Sequence, residues 1–199
     1  MTLITHRLII LTLLLIIVTG SNRILADEWQ AASKIVDQAS MQMLQLLKTT
    51  NSKTELFSGA QSILEPVISF EAIARGVMGK FFRRASTDQR QRFEKVLRQT
   101  LLQTYIAVLS AYDIEEFTIK ANLVNDNRTN RERVWVKVMA DGELFDIYYS
   151  MRLIDGQWKL INVVLDGINL GLAFRTQFAS AMHSHKNDMD QVIEQWLSS

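Results

Sequence analysis

The chain has 199 residues, 22 Lys and Arg against 21 Asp and Glu, a net charge of +1, one proline and no cysteine. A charge this close to neutral argues against a nucleic-acid binder, for which a domain pI above about 9 is expected. The missing cysteines leave any fold to be held by its core alone, without disulfides.

The first segment, "MTLITHRLIILTLLLIIVTGSNRILADEW", has a polar start with Arg7, an unbroken apolar run from Leu8 to Val18, and small residues before Ala26. This is the pattern of an export signal with cleavage after Ala26. A spanning helix needs about 20 apolar residues, more than lie between Arg7 and Arg23. Residues 1–26 are therefore read as a leader and 27–199 as one domain. Without Arg7 and Arg23 the domain holds 20 basic and 21 acidic residues. It is expected to work outside the cytoplasm.

From Glu28 to Lys48 apolar residues recur every three and four positions, the spacing of an amphipathic helix. A second helix is expected over Lys53–Leu64, ended by the restriction that Pro66 places on Glu65. A third spans Phe70–Phe82. Ser86 with Gln89 has the spacing of a capping box, opening a long helix whose apolar stripe runs from Phe93 to Tyr112. Seven basic residues between Lys80 and Arg98 fall largely off that stripe, as a solvated face would.

After Asp113 the period becomes two. "EFTIKANLV", "VWVKVMA", "DIYYSMRL" and "QWKLINVVLD" read as four antiparallel strands. Asp141-Gly142 and Asp155-Gly156 are hairpin signals, and "NDNRTN", with its sequon Asn127-Arg128-Thr129, is the first connection. Helix returns in "GINLGLAFRTQFASAMHSH" and "DMDQVIEQWLSS". The expected fold class is α+β, a curved four-stranded antiparallel meander packed with helices before and after it.

No nucleophile elbow, phosphate loop, dinucleotide fingerprint or zinc-protease motif occurs. His183 and His185 diverge on a helix and read as a polar helix end rather than metal ligands. Asp141, Glu143 and Asp146 read as hydrated acids of a hairpin. The chain is expected to be no enzyme and to hold no metal and no cofactor.

The stretch "LEPVISFEAIARGVMGKFFRRASTDQRQRFEKVLRQTLLQTYIAVLSAY" resembles the periplasmic phospholipid-binding proteins of Mla-type lipid transport systems, the toluene-tolerance auxiliary family. The resemblance is carried by Pro66, Ser69-Phe70, Val77-Met78-Gly79, Phe82-Arg83, Ala85-Ser86, Gln89-Arg90, Phe93 and Leu101-Leu102 with Thr104-Tyr105. Farther on it is carried by Tyr149 with Met151, Gly156 with Trp158, Asp166-Gly167-Ile168, and Phe174-Arg175 with Phe178. It runs from about Trp29 to the C-terminus. Phe82 replaces a usual Trp, Asn162 stands where Asp is common, Ala173-Phe174 replaces Asn-Tyr, and the glycine pair before the last helix is missing.

The resemblance implies a monomeric periplasmic carrier of a Gram-negative bacterium with a deep apolar cavity and phospholipid as its cargo. Its implied partners are an inner-membrane ABC transporter complex with an MCE-domain subunit and an outer-membrane lipoprotein–porin complex. Its implied role is the upkeep of outer-membrane lipid asymmetry. The expected lining is Val77, Met78, Leu101, Tyr105, Leu109, Val134, Val136, Val138, Ile147, Tyr149, Met151, Leu165, Leu170 and Phe174. Periodicity alone reads the same residues equally well as packed core, and a one-residue slip would turn Tyr148 inward instead of Tyr149. Lys80, Arg83 and Arg84 are candidates for a cavity mouth or docking patch. The alternatives are a binder of another hydrophobe (isoprenoid, hopanoid or solvent) and an interaction protein without cargo.

Overall fold

The computed structural model describes residues 21–50, 52–120 and 130–196. Residues 1–20 of the expected leader, the expected strand end at 121–124 and the sequon lie outside these residues. The expected cleavage point after Ala26 falls inside the first helix.

That helix, α1, spans Ser21–Thr49. It is followed by α2 (Lys53–Leu64) and α3 (Phe70–Met78), then by a 3₁₀ turn at Gly79–Phe81 and the long α4 (Thr87–Ala111). The sheet comprises β1 (Ile114–Lys120), β2 (Arg131–Ala140), β3 (Glu143–Ile154), β4 (Gln157–Leu165) and β5 (Ile168–Asn169). Two helices close the chain, α5 (Leu170–Ser184) and α6 (Met189–Trp196). Among the described residues no helix is long and apolar enough to cross a membrane.

Side-chain caps set the helix starts. Ser52, Ser69 and Asn169 each accept a hydrogen bond from the backbone N–H three residues on. Ser86 and Gln89 form the full reciprocal box at 3.1 and 3.0 Å, satisfying two otherwise orphaned donors. The third helix is shorter than expected. Gly79 adopts φ +54°, a conformation only glycine takes cheaply, and it stops α3 at Met78.

The fold is α+β, and its sheet is an antiparallel meander in the order β1-β2-β3-β4-β5. It has five strands where four were expected. Each turn from β2 to β5 is an Asp-Gly pair with both residues at positive φ, namely Asp141-Gly142, Asp155-Gly156 and Asp166-Gly167. That geometry matches the right-handed twist of the flanking strands. The third pair pins the two-residue β5, too short to show any periodicity. Glu115 on β1 and Ile161 on β4 are extra residues where the pairing register shifts. Such bulges bend a sheet.

Three apolar clusters hold the molecule. One joins α3, the first half of α4, α5 and α6 around Phe178, whose ring lies 4.8 Å from Phe93 and 5.8 Å from Trp196. A second packs Ala32 and Val36 of α1 on Val134, Val136, Met151 and Trp158 of the sheet. A third joins α1, α2, α3 and α4 through Met43, Ala60, Leu64, Phe70 and Leu102. On β4, Leu160 bridges to Ile68, so the chain between α2 and α3 covers part of that strand's edge.

A candidate lipid cavity

Between the sheet and the helices lies a cavity of ≈ 500 Å³. Its wall is built from Val36, Ala39, Met43 and Leu44 of α1, Phe70 and Ile73 of α3, the second half of α4, the inward face of β1–β4, and the start of α5. None of the lining residues is charged. The polar side chains there are Ser40, Thr104, Tyr105, Tyr112, Tyr149 and Asn162. A surface of this kind offers dispersion contact to an apolar ligand.

The two inner tyrosines follow the same logic. Burial pushes the Tyr149 phenol up to about 12. Tyr105 is pushed up further, first by burial and then by the neighbouring Tyr149. Both stay neutral across the physiological range, and neither hydroxyl has a hydrogen-bond partner among the described residues.

Ten of the residues expected to line the cavity stand in its wall: Leu101, Tyr105, Leu109, Val136, Val138, Ile147, Tyr149, Leu165, Leu170 and Phe174. Tyr149 faces in, and Tyr148 stacks on Trp135 at 5.6 Å on the other face. Four expected residues lie elsewhere. Val77 and Met78 pack in the Phe178 cluster, on the side of α3 turned toward α5 and α6. Val134 and Met151 are on the inward face of the sheet, but Ala32 and Val36 of α1 cover them.

The sequence reading missed the α1 residues, Phe70, Ile73, Phe117, Phe145, Leu160 and the bulged Ile161. Phe145 was legible, because it lies two residues before Ile147 and therefore on the same face. Nothing in the periodicity of α1 says which element its stripe meets.

The wall is exposed at three residues four apart in the chain, Thr104 and Val108 on α4 and Tyr112 at its C-cap. They mark the opening. Beside it, Leu170 and Gly171 of α5 are fixed by a polar clasp. Asn162 Oδ1 accepts from the Gly171 backbone at 3.0 Å, and Asn162 Nδ2 donates to Asn169 at 3.1 Å. A Cβ on residue 171 would come within 2.4 Å of Asn162 Oδ1, so the close approach needs glycine.

Lys80, Arg83 and Arg84 are exposed but do not line the cavity. They precede the first turn of α4, about 20 Å along the helix axis from Leu101, where the α4 wall begins. Lys80 Nζ lies 5.2 Å over the Phe81 ring. Nearby, Phe82 carries the Arg75 and Arg90 guanidiniums at 4.9 and 4.4 Å. His185 closes α5, with Nδ1 3.3 Å from Gln191. Among the described residues no group of acidic, His or Cys side chains is arranged to hold a metal.

The family model described as MlaC protein matches residues 37–198. The chain belongs to the MlaC family. A relative, the toluene tolerance protein Ttg2D of Pseudomonas putida, is 34% identical over 142 residues, covering 70% of this chain. The match spans 65% of that relative's own length. Among solved structures, the phospholipid-binding protein of Ralstonia solanacearum, determined with a phospholipid bound, superposes with a TM-score of 0.72 at 19% identity, over 83% of this chain and 98% of that one. That likeness shows a shared fold. The MlaC-family chain described here builds it around the cavity above.

Proposed function

We infer that the protein is a phospholipid carrier that shields acyl chains from water in its cavity and performs no catalysis. One observation carries the reading: ≈ 500 Å³ of space enclosed by walls without a charged side chain. At about 0.8 kcal/mol per buried methylene, shielding one long acyl chain is worth on the order of 10 kcal/mol. A generic apolar wall supplies this.

The phospholipid bound to the Ralstonia solanacearum protein supports the same cargo here. The carrier works as one domain in the periplasm after loss of residues 1–26. It moves lipid between an inner-membrane ABC complex with an MCE-domain subunit and an outer-membrane lipoprotein–porin complex, and so maintains lipid asymmetry.

Native mass spectrometry of the protein from a periplasmic fraction, with organic extraction of the same sample, tests this. Adducts of phospholipid mass released as intact diacyl lipids are expected. An isoprenoid or hopanoid in the extract would change the cargo, and a bare polypeptide with an empty extract would overturn the carrier reading.

A further inference from the structure

The opening does not sit under the basic cluster. It sits at the opposite, acidic end of the molecule. At the end of the sheet nearest the mouth, β1 and β3 begin and β2 and β4 finish. That end bears Asp113, Glu115, Asp141, Glu143, Asp146 and Asp166. The ring of Phe145, in this same cluster, meets Tyr112 of the mouth edge-on at 5.8 Å. The basic side chain at this end, Lys137, lies 3.6 Å from Asp146 and is thereby neutralised.

Exposed apolar side chains accompany the opening. Val108 on α4 and Tyr112 at its C-cap stand in the cavity wall, Ile168 and Leu172 are chain neighbours of the wall residues Leu170 and Gly171, and all four are 44% to 63% exposed. They account for four of the six large exposed hydrophobics among the described residues.

The geometry points to this face, an apolar rim bounded by carboxylates, as the docking surface for a protein partner whose own apolar patch is ringed by Lys and Arg. Charge complementarity selects that occupant. Opposite fields speed encounter and fix register, while the apolar centre supplies the contact energy. An anionic bilayer would be repelled by the same carboxylates. The inference rests on the lipid reading for why the mouth must meet a partner at all.

Three of the six carboxylates also lock turns. Asp141, Glu115 and Asp166 accept backbone N–H bonds at 3.0, 2.8 and 2.8 Å. Asp146 accepts from the Trp135 indole at 3.0 Å. Asp113 and Glu143 carry no such side-chain duty among the described residues, so they can be reversed without opening a turn.

The test is flotation of the purified protein with three kinds of vesicle. These are native envelope membranes of the organism that makes it, the same membranes shaved with protease, and vesicles of the extracted lipids alone. Binding is expected to the native membranes only, falling several-fold as salt rises from about 20 to about 300 mM. The paired change Asp113→Lys with Glu143→Lys should weaken it about tenfold, as should Leu172→Ser. Reversal of Lys80, Arg83 and Arg84 should leave it unchanged, with circular dichroism confirming that each variant is folded.

Equal binding to protein-free vesicles would overturn the proposal in favour of a lipid surface. So would loss of binding with the basic triple alone, or no binding to any membrane. Extraction of lipid from the same samples reports the cargo separately. Salt-sensitive docking by a protein that yields no lipid would refute the carrier reading and leave this surface standing.

Discussion

Tyr105 and Tyr149 bring hydroxyl groups into a largely apolar wall, and their effect is a property of single residues. Neither Tyr105 nor Tyr149 has a hydrogen-bond partner among the described residues, yet both keep surface that borders the cavity rather than being sealed in the core. Burial away from bulk water holds both phenols neutral. Replacing Tyr149 by Phe keeps the ring that fills the wall and removes the hydroxyl. Because that hydroxyl holds no protein partner, denaturant unfolding of lipid-free protein should change by less than about 1 kcal/mol, with lipid loading unchanged. A loss of stability well beyond that would mean that the hydroxyl holds a partner in the folded protein. Tyr149 also shows where residue-level reading succeeded, since strand alternation alone placed it opposite Tyr148. The same alternation put Val134 and Met151 on the correct face and gave no hint that α1 lies over them.

The placement of elements is decided by a few polar contacts at their ends. The last helix, α6, docks on α4 through Arg92, which pairs with Asp190 and Asp88, and through Gln89, whose amide donates to Asp190 at 3.0 Å. The Arg92 guanidinium, and after it Gln89, hold the Asp190 carboxyl below its ordinary value of 3.8. A carboxyl depressed by folding contributes its stabilisation in full above that ordinary value, and loses it as pH falls through the lower folded value. Thermal melts should therefore show Asp190→Asn less stable than the parent at about pH 7, with the gap narrowing as pH falls below the ordinary carboxyl value of 3.8. A gap that persists in acid would assign the loss to packing rather than charge. Caps and turns were the elements most open to sequence reading. Ser86 with Gln89 and the first two Asp-Gly hairpins behave as their spacing requires. The third pair, Asp166-Gly167, carries the same signal, yet β5 went unseen because two residues cannot display a period.

At the scale of the molecule, the cavity is a gap that the surrounding clusters leave unfilled. Its walls have no partner atoms across the gap, so they forgo dispersion contact until cargo enters. Any ligand that binds the folded state alone raises apparent stability by about 2.7 kcal/mol at a hundredfold excess over Kd. Delipidated protein should accordingly melt several degrees lower than protein as purified, and regain the difference when phospholipid is restored. An unchanged melting point after complete extraction would mean that the walls close on themselves.

The sequence by itself determined the α+β class, the capped start of α4, the first two hairpins and the inward faces of β2 and β3. These are local matters, set by caps, by the conformational freedom of glycine and by a period of two or 3.6. The tertiary structure alone decided which inward residues border empty space, that Val77, Met78, Val134 and Met151 are packed core, and that the opening lies at the acidic end. Periodicity records the direction a side chain points. Whether another element arrives there to meet it depends on helices such as α1, which come from far away in the chain.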